Sequence, residues 1–119
     1  MNYKKIVGDY GEKIASNYLL KKGYRILERN KKISYQEIDI ITSFKGNIVF
    51  FEVKTRTNSA SGFAEEAINR QKIRNIKKAI ASYVYEQKLN LDRAQFDVIV
   101  VNISKTKKVA KIKHYIQIF

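Results

Sequence analysis

Four charged residues stand inside otherwise apolar runs in "EIDIITSFKGNIVFFEVKTR" (Glu37 to Arg56): Glu37, Asp39, Glu52 and Lys54. Side chains two apart on a strand point to one face, so Glu37 shares a face with Asp39, and Glu52 with Lys54. Glu52 and Lys54 are then separated by roughly 7 Å along the strand, at a rise of about 3.3 Å per residue. If the two runs pair around "SFKGN", Asp39 comes near Glu52. Two carboxylates converging in a sheet repel each other and lose hydration, which is costly for unpaired charge. A divalent cation would remove that cost. Hard oxygen ligands, with no His or Cys nearby, select Mg²⁺ or Mn²⁺.

Lys54 completes the set. An ammonium beside such carboxylates could position or deprotonate a water, or neutralise charge developing on a phosphoryl centre. The expected reaction is a metal-assisted attack of water on a phosphodiester. Glu12, brought in from the first helix, could be a further ligand or could hold a water at the metal. The alternative is a structural ion-pair network, Glu52 with Lys54 and Asp39 with Arg56. A lone pattern of this kind suits the ion-pair network, but the strongly apolar "VFFEVKT" makes a wet face less expected there and brings the catalytic reading level with it.

These residues need a sheet to hold them. "YRILERN" (Tyr24 to Asn30), "YQEIDIITS" (Tyr35 to Ser43) and "NIVFFEVKTR" (Asn47 to Arg56) read as three strands, the last two joined by a turn at Lys45-Gly46. A first helix is expected from about Ile6 to Lys22, ended by Gly23. Gly8, Glu12, Ala15 and Leu19 share one stripe of it, with Ile14 and Tyr18 beside them, and its two small residues suggest close packing on the sheet. A long helix is expected from about Ala64 to Gln87, with core face Ile76, Ala79, Ile80, Tyr83 and Val84, and with Lys72 on the same side. "QFDVIVVNI" (Gln95 to Ile103) reads as a buried central strand. "VAKIKHYIQIF" reads as a last strand with Ile112, His114, Ile116 and Ile118 on one face. The fold class is α/β, order α-β-β-β-α-β-β: a single domain over 1–119, with helices packed on a mixed sheet of four to five strands.

The totals are compatible with this. The chain has 119 residues, 45% hydrophobic, enough for a core. Without Cys it offers neither disulfides nor thiolate ligands. No apolar run suits a membrane span, no apolar leader is visible, and a cytoplasmic protein is expected. Lys plus Arg is 24 against 11 acids, a net charge of +13. Such an excess attracts polyanions, and nucleic acid is the expected partner.

At these residues the chain resembles the YraN family of small, endonuclease-like bacterial proteins. The resemblance runs through "GDYGEKIASNYLLKKGYRILERN", "EIDII", "VFFEVKTR", "EEAINRQK" and "QFDVIVV", nearly the whole chain. That family is placed in the restriction-endonuclease-like superfamily, with the archaeal Holliday-junction resolvases. The resemblance implies a four- or five-stranded mixed sheet flanked by helices. It implies a signature of Asp39, then Glu52 and Lys54, with Glu12 as the helical acid and Gln71 or Lys72 as support from the long helix. Gln36 stands where the family usually has Gly, a change that alters at most a bulge or turn and leaves the carboxylates in place.

The resulting expectation is a Mg²⁺- or Mn²⁺-dependent endonuclease acting on DNA, branched or structured DNA included. Asp39, Glu52, the Val53 carbonyl and Glu12 would hold the metal, and Lys54 would assist the nucleophile. Arg56, Arg70, Lys72, Arg74 and Lys77 would contact nucleic acid. Symmetric cutting of a junction would call for a homodimer. The alternative is a non-catalytic nucleic-acid-binding protein with the same fold, and a weaker one is a metal-stabilised structural domain. Lys105, Lys107, Lys108, Lys111 and Lys113 form a second basic cluster. The "TNSASG" loop is expected to be mobile. Asp97 is expected to pair with a basic residue of the long helix, and His114 to have no chemical role. The eight tyrosines could stack bases, but most, such as Tyr18 and Tyr83, sit at core spacing and need no such role.

Overall fold

The computed structural model describes residues 3–57, 69–104 and 106–119. It contains helix α1 (Tyr3–Lys21), strands β1 (Arg25–Ile33), β2 (Gln36–Phe44) and β3 (Asn47–Thr57), helix α2 (Arg70–Glu86), a 3₁₀ turn (Leu91–Arg93), and strands β4 (Ala94–Ser104) and β5 (Val109–Tyr115). The order is the expected α-β-β-β-α-β-β. The expected loop after β3 and the expected start of the second helix at Ala64 fall largely outside the described residues.

Local chemistry sets the boundaries. Gly23 at φ +96° ends α1, and the Tyr24 amide bonds back to the Leu19 carbonyl at 3.0 Å. Asn69 caps α2, its side chain accepting from the Lys72 amide at 2.8 Å. Lys45 and Gly46 both have positive φ, the conformation a two-residue hairpin turn needs, and Phe44 pairs with Asn47 across it.

The five strands lie in the order β1-β2-β3-β4-β5. Only β3 and β4 are parallel, and α2 lies in the connection between them. The helices take opposite faces. On one side Ala15 and Leu19 of α1 pack with Ile40, Phe51, Ile99 and Val101. On the other, Ile76, Ala79, Ile80, Tyr83 and Val84 of α2 pack with Ile38, Ile41, Phe50 and Val98. That α2 face is the one its 3.6-residue period predicts. β4 is buried from Phe96 to Val101 because it is covered on both faces, which accounts for a run that is apolar except at Asp97.

Two expectations need correction. The close approach of α1 to the sheet is made by Gly11, not by Gly8. A Cβ on Gly11 would overlap Thr55 of β3, whereas one on Gly8 meets nothing within 4 Å. The last strand also stops at Tyr115, so Ile116 and Ile118 do not continue the face of Ile112 and His114. Gln117, at φ +55°, turns the chain back. The Ile118 amide then donates to the Phe96 carbonyl at 2.7 Å, and Phe119 stacks on Phe96 with ring centroids 4.9 Å apart. Ile116 and Ile118 are left exposed.

Candidate metal and nucleic-acid site

The β2–β3 ladder runs from Phe44↔Asn47 to Ile40↔Phe51. Beyond that point a side chain takes over: the Val53 amide donates to Oδ2 of Asp39 at 2.7 Å. β2 also changes its facing here. Ile38 packs on the α2 side and Ile40 on the α1 side, although residues two apart on a regular strand share a face. In the partner strand Arg29 pairs with Ile40 and Lys31 with Ile38, which leaves Asn30 opposite Asp39. Asn30 is in the left-handed region, at φ 51°. The distortion in β1 and β2 therefore coincides with the carboxylate of interest.

Asp39 is 9% exposed and Glu52 8%. The Asp39 carboxyl is pushed up to about 7, first by burial and then by the neighbouring charge of Glu52. The Val53 amide opposes the rise, and Glu12 and Glu37 add to it. Burial and neighbouring carboxylates dominate at Asp39. Glu52 meets two cations: its Oε1 lies 3.3 Å from Lys72 Nζ and 3.8 Å from Lys54 Nζ. Lys72 is thus the residue of α2 that supports the acid. Gln71 is exposed and bonds Asn75 and Arg74 instead.

Glu12 comes from α1. Its carboxyl is raised, chiefly by burial, with a hydrogen bond from Asn30 opposing the rise and Asp9 and Glu37 adding to it. Asn30 thereby links the α1 acid to the distorted segment that carries Asp39. Glu12, Lys4 and Gly8 of α1 and Val53, Lys54 and Thr55 of β3 line one groove of about 440 Å³. The Gly11–Thr55 approach brings these two elements together.

Among the described residues, no three Asp, Glu or His side chains gather closely enough to cage an ion. Asp39 and Glu52 form a buried carboxylate pair instead, with Glu12 acting on it electrostatically. The donor set fits Mg²⁺ or Mn²⁺ better than a fully caged ion. Mg²⁺ is commonly held by one or two carboxylates and keeps its remaining positions for water and substrate phosphate.

The residues expected to contact nucleic acid are spread around this centre. Arg56 is half-buried near the end of β3. Arg70, Arg74 and Lys77 are exposed on α2. Lys77 lies over the Phe119 ring, 4.9 Å from its centroid, and Lys72 is engaged by Glu52. From Arg70 to Tyr85, α2 has no acidic residue.

The expected partner of Asp97 is also corrected. Asp97 is 0% exposed and bonds His114 of β5, not a residue of the long helix, with Oδ2 2.7 Å from Nε2. His114 Nδ1 lies 2.9 Å from the Tyr18 hydroxyl, so His114 bridges β4 and α1. Asp97 Oδ1 accepts from Gln95 Nε2 and from the Gln117 amide, which ties down the C-terminal turn. A lone acid in the apolar run of β4 and a lone histidine on the apolar face of the next strand were the available signal in the sequence.

The pattern of the family described as "Uncharacterised protein family UPF0102" matches residues 11–101. The chain belongs to this family. UPF0102 and the YraN family of the motif resemblance are the same group. A UPF0102 protein of Caldanaerobacter subterraneus subsp. tengcongensis is 42% identical over 117 residues, covering 98% of this chain and 96% of that one. A UPF0102 protein of Dictyoglomus thermophilum is 37% identical over the whole of both chains. Among solved structures, a repair endonuclease from Pyrococcus abyssi superposes with a TM-score of 0.42 at 16% identity. That match covers 78% of this chain and 37% of the endonuclease.

Proposed function

We propose that this UPF0102 protein is a divalent-metal-dependent endonuclease that hydrolyses phosphodiester bonds in DNA. The observation that carries the reading is the pair Asp39 and Glu52. Asp39 is buried, repelled by Glu52 and tied to the Val53 amide. A protein of net charge +13 keeps such acids in its sheet at a cost in stability, and binding phosphate gives no reason to keep them.

Mg²⁺ or Mn²⁺ held by Asp39, Glu52 and the Val53 carbonyl, with Glu12 nearby, would polarise the phosphoryl group and bring water within reach. The chain's own residues do the rest. Lys54, held beside Glu52, orients the attacking water and stabilises negative charge developing on the phosphoryl oxygens. Lys72, at the same Glu52 oxygen as Lys54, offsets the charge of Glu52 and helps fix its direction. Exposed cations of α2 hold flanking phosphates. As water attacks phosphorus, the bond to the leaving sugar oxygen breaks, and that oxygen takes up a proton.

One observation favours the second reading, a nucleic-acid-binding protein without turnover: Glu52 already has two lysine partners. Cleavage of labelled single-stranded, duplex, flapped and four-way-junction DNA, and of RNA, in Mg²⁺ and Mn²⁺ separates the two. The nuclease reading expects metal-dependent cutting that is lost in Glu52→Ala. Uncut substrates with salt-sensitive binding intact in both proteins would leave the binding module.

A further inference from the structure

Tyr35 is 100% exposed, at the tip of the β1–β2 hairpin. Beside it a hollow of about 430 Å³ opens between the hairpin tip and α2. Tyr35 and Gln36 line one wall, Asn75, Lys78 and Ser82 the other, and Ala79 the floor. An aromatic ring wholly in water gains nothing from folding, and it stands here at the mouth of a hollow that also carries Gln36, Asn75 and Lys78. Nothing in the metal-site reading uses it.

Two further observations point to the kind of ligand. The first is charge: Arg74 and Lys78 are exposed on the α2 stretch that carries no acid before Glu86. Among the described residues Arg74 bonds Gln71, which in turn bonds Asn75 in the wall of the hollow. The second is position. Lys72 touches Glu52, and Asn75 and Ala79 follow it by about one and two helical turns, so the hollow lies roughly 5–10 Å along α2 from the lysine that reaches the acid pair. A ring with a free face, amide groups able to meet a base edge and exposed cations together suit a nucleobase and its flanking phosphates. A duplex keeps its bases stacked inside, so only an unpaired nucleotide could use the ring.

We infer that the hollow between the β1–β2 turn and α2 is a binding site for an unpaired nucleotide, its base stacked on Tyr35 and an adjoining phosphate held by Lys78. The inference rests on the nucleic-acid part of the proposed function and sharpens it. The preferred substrate carries a single-stranded segment next to the cleaved bond.

Equilibrium binding of a labelled single-stranded deoxyoligonucleotide to the full chain, without divalent metal, tests the site independently of cleavage. The wild-type protein and Tyr35→Phe are expected to bind alike, and Tyr35→Ala roughly tenfold more weakly, while binding of blunt duplex changes little. Because the chain has no tryptophan, Tyr35→Trp places a single indole at the site, and its fluorescence should be quenched by the oligonucleotide. Tyr35 touches no core residue, so a folding defect does not enter. Equal single-strand affinity in Tyr35→Ala, or an unquenched indole at saturation, would overturn the inference. If Tyr35→Ala weakens binding but the wild-type protein cuts nothing, the nucleotide site stands and the nuclease reading falls.

Discussion

The Val53 amide donates to Oδ2 of Asp39 at 2.7 Å, so a carboxylate side chain takes the place of the ladder that ends at Ile40 and Phe51. This bond holds Asp39 beside Glu52 against their mutual repulsion. The anchor is backbone, so the acid pair is positioned by the register of β2 on β3.

The first prediction concerns pH. In the unfolded chain Asp39 titrates near its ordinary value of 3.8, and in the folded chain at about 7. Between those values the folded state binds more protons, so stability falls as pH rises through the window. Asp39's contribution is complete below about pH 4 and gone above about pH 7, and is of the order of 4 kcal/mol. Urea unfolding in a chelator from about pH 5 to 8 should show the decline, and Asp39→Asn should flatten it. A parallel decline in Asp39→Asn would assign the effect elsewhere.

Glu52 is the neighbouring charge that raises Asp39 most. Glu52→Gln should therefore lower the Asp39 titration midpoint, read from its carboxyl carbon resonance against pH. An unmoved midpoint would mean that the two acids are not coupled.

The approach of α1 to β3 depends on Gly11. Gly11→Ala places a methyl against Thr55 and should destabilise the fold by about 1–3 kcal/mol, because backbone has to move. Gly8→Ala, in the same helix with nothing near it, should stabilise by about 0.5–1 kcal/mol. Denaturant midpoints of the two variants, moving in opposite directions, check both.

Asp97→Ala removes the acceptor for His114, Gln95 and the Gln117 amide together. A loss of about 3 kcal/mol is expected. Faster amide exchange at Gln117 and Ile118 than in wild type should accompany it, as the C-terminal turn is released. Unchanged exchange there would show that the Phe96–Phe119 contacts hold the turn alone.

Much of this was legible in the sequence because the signals are local. The α2 core face follows from helical period, and the β2–β3 turn from Lys45-Gly46 between apolar runs. The proximity of Asp39 and Glu52 follows from counting outward from that turn. What escaped depends on contacts between distant segments. Gly8 and Gly11 look equivalent until the rotation of α1 against Thr55 is known. The Asp97–His114 bond needs the β4–β5 register, Ile99 opposite His114. The continued apolar alternation after Tyr115 concealed the turn at Gln117, where Phe119 finds a better position on Phe96. The reversal of facing at Asp39, with Ile38 and Ile40 on opposite sides, breaks the two-residue period on which a strand is read.

The proposed sharing of a divalent cation by Asp39 and Glu52 is tested most directly by paramagnetic broadening of amide resonances by sub-stoichiometric Mn²⁺. Selective loss of signal is expected at Ile40, Glu52, Val53 and Lys54, competed away by Mg²⁺ and absent in a protein carrying Asp39→Asn and Glu52→Gln. Broadening elsewhere, or identical broadening in the doubly substituted protein, would contradict it and reduce the acids to an ion-pair network around Lys54 and Lys72.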